Sequence, residues 1–346
     1  MTDRADVVIV GAGVMGCSLA FHLAKRGRRV VVFDRGAIGQ GATAACAGGV
    51  RAQFSSDINI RIGMEAKRVL RDFEHEVGVS ADFKAVGYLF LLTTEVERSR
   101  FHDTVRLQRR LGLDDVVELT PAQARGLVRG LNTRDLSGAT GLLQTGDTVE
   151  GVRTTLGEIL APLTVICAGP WSAPVGALTG LALAIAPSRR HVFVTDAVAE
   201  IDRRSPMTID FHTSFYFHPE GDGVLFGMGD SDEPPGEAAT VNWSILERIT
   251  DVAKRRWPPL VEARIKTAWA GLYENTPDFQ PLVGPLRERP GLWIAAGFSG
   301  HGFMMGPVVG RWLAQWMVDG AAPADLSAFA PDRFAGGTSL PERNVV

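Results

Sequence analysis

Short apolar runs and helix-period stretches alternate at the start of this chain. Val7–Val10 is apolar without interruption, the pattern of a strand buried on both faces. It enters Gly11-Ala12-Gly13-Val14-Met15-Gly16, after which Leu19, Ala20, Leu23 and Ala24 recur at helical spacing. A second apolar run, Val30–Phe33, ends in Asp34. Further on the pattern predicts a strand over 86–92, a helix over 97–111 and a strand over 191–195. Thr120-Pro121-Ala122-Gln123 reads as a capping box with proline at the first helical position. Two strands, 211–218 and 224–228, flank a hairpin signal at 219–223. Alternation puts His212, Ser214, Tyr216 and His218 on one face and Phe211, Phe215 and Phe217 on the other. Such a two-faced sheet either roofs a ligand cavity or faces solvent, with equal weight. Near the end, a strand over 291–296 runs into glycine-rich residues 297–307. A helix over 308–318 follows, with Gly320 as its stop. The tail over 335–346 is rich in glycine and proline and is expected to fray.

Strand, Gly-x-Gly-x-x-Gly, helix, strand and acid in this order form the dinucleotide fingerprint. Gly11 permits the tight turn, Gly13 lets the backbone approach a pyrophosphate, and Gly16 lets helix and strand pack closely. The helix start offers unpaired N–H groups to phosphate, and Asp34 offers acceptors to ribose hydroxyls. The fingerprint does not choose between a nicotinamide and a flavin. Residues 35–54 hold no hydrophobic period and are glycine-rich, as expected where backbone lies against a large ligand. With the second glycine-rich turn at 297–307, one long cofactor is gripped at both ends.

Composition narrows the partners. A length of 346 residues suits two domains, here interleaved. A net charge of −3 gives no basic field for nucleic acid. No apolar run is long enough to cross a bilayer, and because Met1 leads straight into a core strand no signal peptide is expected. Cys17, Cys46 and Cys167 lack CxxC spacing and read as small hydrophobes in a reducing cytoplasm. The seven histidines show no metal-binding grouping, so no metal is expected.

Four blocks carry a family resemblance: the fingerprint through Asp34; Gly39-Gln40-Gly41-Ala42-Thr43 through Arg51; Val165-Ile166-Cys167-Ala168-Gly169-Pro170-Trp171-Ser172; and Ala295-Ala296-Gly297-Phe298-Ser299-Gly300-His301-Gly302. The chain resembles the D-amino-acid oxidase superfamily of flavoproteins, in its sarcosine oxidase and glycine or proline dehydrogenase branch. The resemblance implies an α/β (α+β, two-domain) fold: a Rossmann-like FAD-binding domain with an interleaved antiparallel-sheet substrate domain. The domains follow as 1–78, 145–178 and 276–334 for FAD, and 79–144 and 179–275 for substrate. It implies non-covalent FAD held by Gly11, Ala12, Gly13, Val14, Met15, Gly16, Asp34, Arg35, Gly41, Ala42, Thr43, Gly48, Gly49 and Val50. Ala168, Gly169, Trp171, Gly271, Gly297, Gly300, His301, Gly302, Phe303 and Met304 complete the cofactor set.

The chemistry implied is oxidation of a C–N bond by hydride transfer from the substrate α-carbon to flavin N5, followed by imine hydrolysis. The N–H groups around Gly300, His301 and Gly302 would stabilise negative charge on the reduced flavin. Arg51 would bind the substrate carboxylate, or face a phosphate or the surface. Tyr273 and Tyr216 are further candidate substrate contacts. The substrate is expected to be a small amino acid, a sarcosine-like N-alkyl glycine first, then glycine or proline. The acceptor, oxygen or another carrier, and the homo- or hetero-oligomeric state are left open.

Three departures matter. Gly271 stands where covalent members carry cysteine, so no thioether forms. Met304, and the stretch 224–227, lack lysines that assist oxygen in sarcosine oxidases, which points to a dehydrogenase or a sluggish oxidase. Between Gly141 and Glu150 a few dozen residues of the family pattern are missing. Either the chain is truly shortened, losing a strand of the FAD sheet, or residues between these stretches are absent from the sequence as written. Two alternatives stay open: a flavoprotein subunit of a heteromeric enzyme that is inactive alone, and a nicotinamide-dependent dehydrogenase.

Overall fold

The computed structural model describes residues 3–119, 124, 141–145, 148–155, 157–230, 232–335, 339 and 341–345. The expected capping box at Thr120 to Gln123 lies outside them. The fingerprint strand Val7–Val10 is fully buried and sits inside a five-stranded sheet. Its order in space is Leu282–Pro285, Leu292–Ala296, Leu163–Ile166, Val7–Val10 and Val30–Phe33, parallel except for the first. Branched apolar residues dominate these strands because helices cover the sheet. A second, smaller sheet orders Asp3–Arg4, Gly157–Leu160, Thr148–Thr154 and Gly141–Thr145. Val30–Phe33 is the outer edge of the first sheet among the described residues. Its four side chains are only half-buried, which is where a further strand would pack.

Two helices lie side by side on this sheet, Val14–Lys25 and Gly302–Asp319. Val14 meets Gly306, and Ser18 meets Gly310, so the helices run parallel. A Cβ on Gly310 would overlap the Ser18 hydroxyl and lie 2.9 Å from the Leu19 nitrogen. The Ser18 hydroxyl also donates to the Pro307 carbonyl at 3.3 Å. The second helix starts at Gly302 rather than the expected 308 and runs through Pro307. Proline sits near enough to the start that one lost N–H bond does not end the helix. Gly320 closes it in the left-handed region, φ 77°.

The antiparallel layer is built from two abutting pieces. One orders Gly223–Met228, Phe215–Glu220, Met207–Asp210 and Tyr88–Leu91; the other pairs Ile265–Asn275 with Ala186–Thr195. Phe193, Phe215, Phe217 and Phe226 face its buried side, under the helix Ile245–Arg256. The expected strand over 211–218 begins only at Phe215. Residues 211–214 turn instead, because Asp210 accepts the Thr213 N–H and Ser214 takes φ 57°. His212 is therefore exposed and paired with Glu97, and Ser214 leaves the polar face. Only Tyr216 and His218 keep it. The hairpin is tighter than expected, with Glu220 opposite Gly223. The helix foreseen over 97–111 spans Glu95–Arg110 and carries a full Thr94–Glu97 capping box.

Part of the tail that was expected to fray is packed: two of its described residues are buried. Glu342 is 2 % exposed and Asn344 0 %. The Glu342 carboxylate accepts from both N–H and hydroxyl groups of Ser55 and Ser56, and from the Asn59 amide. It thereby caps the start of the helix Asp57–Arg71, a role that composition could not reveal.

Candidate active site

A single cavity of about 470 Å³ runs between the two layers. Its floor is made by the two parallel helix starts. Neither helix has an acidic residue in its first turn, and neither N-cap residue caps its own helix with its side chain. The positive ends of both helices are thus free for an anion. Gly11 takes φ 115°, and a Cβ there would collide with the Cys167 carbonyl, which explains the glycine. Thr43 reaches over from the glycine-rich loop, its hydroxyl accepting the Val14 N–H at 3.0 Å. Asp34 accepts from Ala12 N–H at 2.6 Å and Gly36 N–H at 2.8 Å, and its remaining lone pairs border the cavity. Arg35 stacks 3.7 Å over the Trp171 ring at the same end.

Most of the expected residues line this one cavity: Gly11, Gly13, Val14, Met15, Asp34, Arg35, Gly41, Ala42, Thr43, Gly48 and Gly49, then Ala168, Gly169, Trp171, Gly271, Gly300, His301, Gly302, Phe303 and Met304. Arg51, Tyr216 and Tyr273 line it as well. Ala12, Gly16, Val50 and Gly297 are not among its lining residues. Ala12 and Gly297 act through their N–H groups on Asp34 and Glu274. A Cβ on Gly16 would collide with the Gly11 carbonyl, and Val50 packs into the core.

The far end of the cavity is polar and buried. The chain has three tyrosines, and Tyr88, Tyr216 and Tyr273 all line it. Burial pushes all three phenols up, so they stay neutral. The Tyr273 ring lies against Gly300, where a Cβ would come within 2.5 Å of Cε2. Arg51 is 5 % exposed. Its guanidinium donates to the Gln53 carbonyl at 2.5 Å, the Asn344 carbonyl at 2.5 Å and His301 Nε2 at 3.0 Å. Burial and the neighbouring Arg51 charge push the His301 pKa down, so the ring is neutral, with Nε2 the acceptor. Of the N–H groups expected to face the flavin, that of His301 is taken by the Phe298 carbonyl at 2.9 Å. Those of Gly300 and Gly302 remain.

Sequence reasoning passed over Tyr88, Arg190 and Glu274, all in the cavity wall. Tyr88 opens a strand that was foreseen, and the scarcity of tyrosine was the signal. Glu274 accepts the Gly297 N–H at 2.9 Å. Burial raises its pKa to about 7, against the pull of the Gly297 and Phe298 N–H groups. An acid inside an apolar strand was its signal. Arg190 precedes the foreseen start of its strand, which in fact begins at Ala186.

The sequence matches the DAO family, described as FAD dependent oxidoreductase, over residues 6–142 and 129–316. The chain belongs to that family. The two matching stretches overlap at residues 129–142. Among DAO-family relatives, mitochondrial dimethylglycine dehydrogenase of Rattus norvegicus is 30% identical over 392 residues, covering 97% of this chain and 46% of that protein. The chain thus spans about half the length of this relative. Glycine oxidase of Geobacillus kaustophilus is 26% identical, covering 97% of this chain and 99% of that one. The solved structure of L-proline dehydrogenase from P. horikoshii superposes with a TM-score of 0.87 at 28% identity, covering 97% and 99%. FAD is the cofactor of the family, and the cavity fits it. One acid-free helix start, at Val14, suits the pyrophosphate, the other, at Gly302, suits negative charge at the far end of the cofactor, and the glycine-rich loops leave room for a large planar group. A Cβ on Gly271 would lie 3.0 Å from the Ala45 Cβ. Gly271 itself offers no sulfur for a covalent link. Cys17 and Cys46 are half-buried, Cys167 is buried, and all three are free. No helix among the described residues is long and apolar enough to cross a membrane.

Proposed function

We propose that this chain oxidises the C–N bond of a small amino acid, with a sarcosine-like N-alkyl glycine first and glycine or proline as alternatives. One observation carries the reading: a single cavity joins two anion-receptive helix starts to a buried chamber walled by three tyrosines and two arginines. The relatives named for dimethylglycine, glycine and L-proline support the substrate class. FAD, when bound, supplies the hydride acceptor at N5. The protein's own groups do the rest. The turn from Gly11 and Gly13 to Val14 and Met15, whose Val14 N–H is already held by Thr43, would cradle the pyrophosphate, and Asp34 would accept from the ribose. The Gly302 helix start and the Gly300 N–H stabilise negative charge at the other end of the cofactor. Apolar walls favour the neutral amine, the form that releases hydride, so no strong base is required. His301, held neutral by the Arg51 donor at Nε2, adds no further positive charge beside the substrate.

No lysine lines the cavity among the described residues, and Met304 is buried. Without a lysine ammonium beside the flavin, developing superoxide is poorly stabilised, and the reading favours a dehydrogenase or a slow oxidase. The three free cysteines support a reducing, cytoplasmic setting. A second reading, a flavoprotein subunit that needs a partner, draws on the open Val30–Phe33 edge and on the longer relatives. With the family shown, the nicotinamide alternative has no support.

The test is the visible spectrum of the purified protein, followed by sarcosine, glycine and proline without oxygen. Bleaching by one of them is the expected result. An oxidised flavin unmoved by all three would overturn the substrate class and favour the subunit reading.

A further inference from the structure

The two arginines in the buried chamber differ in what they have left to give. Arg51 has spent both terminal nitrogens on Gln53, Asn344 and His301 before any ligand arrives. Arg190 uses only Nη1, which donates to the Ser188 hydroxyl at 2.7 Å and the Arg189 carbonyl at 3.0 Å. Its Nε is buried with no partner, and no described residue accepts from Nη2. No carboxylate among the described residues pairs with it, whereas its neighbour Arg189 is held by Glu233 at 2.8 Å. The guanidinium stacks 4.7 Å from the centre of the Tyr273 ring, which fixes its plane. Opposite it on the paired strand stands Gly271, without a side chain to fill the space.

Nε and Nη2 form one edge of a guanidinium, two parallel donors spaced to match the two oxygens of a carboxylate. We propose that Arg190, not Arg51, receives the substrate carboxylate on this open edge, while Arg51 positions His301 and the tail. The proposal rests on the amino-acid reading above. It makes Arg190 the group that separates α-amino acids from simple amines. Arg35, the other cation of the cavity wall, is engaged with Trp171.

The FAD-loaded protein is titrated with acetate, a carboxylate that cannot be oxidised here, and the flavin visible spectrum is followed. Arg190→Met and Arg190→Lys are expected to weaken acetate at least about tenfold, because methionine lacks the charge and lysine the fork. FAD affinity should change by no more than about twofold. Arg51→Lys should keep acetate binding. With turnover, the Arg190 variants should raise KM for sarcosine and leave that for its neutral amide, N-methylglycinamide, unchanged. Equal acetate affinity in wild type and Arg190→Lys would overturn the proposal. So would FAD lost together with acetate, which would put the guanidinium against the cofactor, or an acetate-insensitive wild-type spectrum. Acetate binding that depends on Arg190, in a protein that no amino acid bleaches, would refute the amino-acid reading and keep the carboxylate site.

Discussion

Glu342 lies four residues from the end of the chain, yet it fastens the loop that carries Arg51. Its Oε1 accepts from the Ser55 N–H and hydroxyl at 2.9 and 2.7 Å. Its Oε2 accepts from the Ser56 N–H and hydroxyl at 3.2 and 2.9 Å, and from Asn59 Nδ2 at 2.9 Å. Every partner is a donor. Glu342→Gln replaces one acceptor oxygen by a donor of the same size. The serine hydroxyls can rotate to accept, but a backbone N–H or the Asn59 amide is left facing a donor. Each buried donor so orphaned costs about 1–3 kcal/mol, so the substitution should cost about 2–4 kcal/mol in all. The sign with pH is fixed as well. Burial raises the Glu342 pKa, but the Ser55, Asn344 and Asn59 donors outweigh it, and the net value is lowered. A carboxylate with a lowered folded pKa stabilises above its unfolded value of about 4.5 and loses that contribution as pH falls through the folded value. Urea unfolding of wild type and Glu342→Gln at pH 7 and pH 4 is the assay. The midpoint should fall at pH 7 with an unchanged slope, and the gap should narrow at pH 4. A difference below about 0.5 kcal/mol at pH 7 would refute the capping role, since that is the range of an ordinary surface change.

Gly310→Val should cost at least about 1–3 kcal/mol by overpacking and weaken FAD as the two helix starts separate; calorimetry and flavin titration check both effects. Glu274 has a raised folded pKa, so it costs stability as pH rises from about 4.5 through about 7; Glu274→Gln should raise the melting temperature at pH 8 and leave it nearly unchanged at pH 4. Stopped-flow should show flavin reoxidation by oxygen far slower than its anaerobic reduction by substrate, and peroxide released at the rate of reduction would contradict this. If the middle of the chain is truly shortened, tryptic mapping should recover residues 135–153 as one peptide of the written sequence, and its absence in favour of longer peptides there would show that residues are missing.

By itself the sequence determined the nucleotide layer. Its signals are local: an unbroken branched run for a doubly covered strand, glycines where backbone meets backbone, an acid at the strand end. Gly11 and Asp34 stand where that pattern put them, because the turn that needs them spans few residues. The chamber was only half legible. Tyr216 and Tyr273 could be named, but which arginine is free depends on partners far along the chain. Arg51 is occupied by His301 and Asn344, 250 and 293 residues away, while Arg190 is kept open by Gly271 across the strand pair. The burial of Glu342 in the tail was illegible for the same reason. Glycine and proline describe local freedom, and the buried Glu342 is held by donors at Ser55, Ser56 and Asn59 that only the folded chain brings to it. Hydrogen-bond satisfaction is a property of the assembled neighbourhood, and only the tertiary structure decided it.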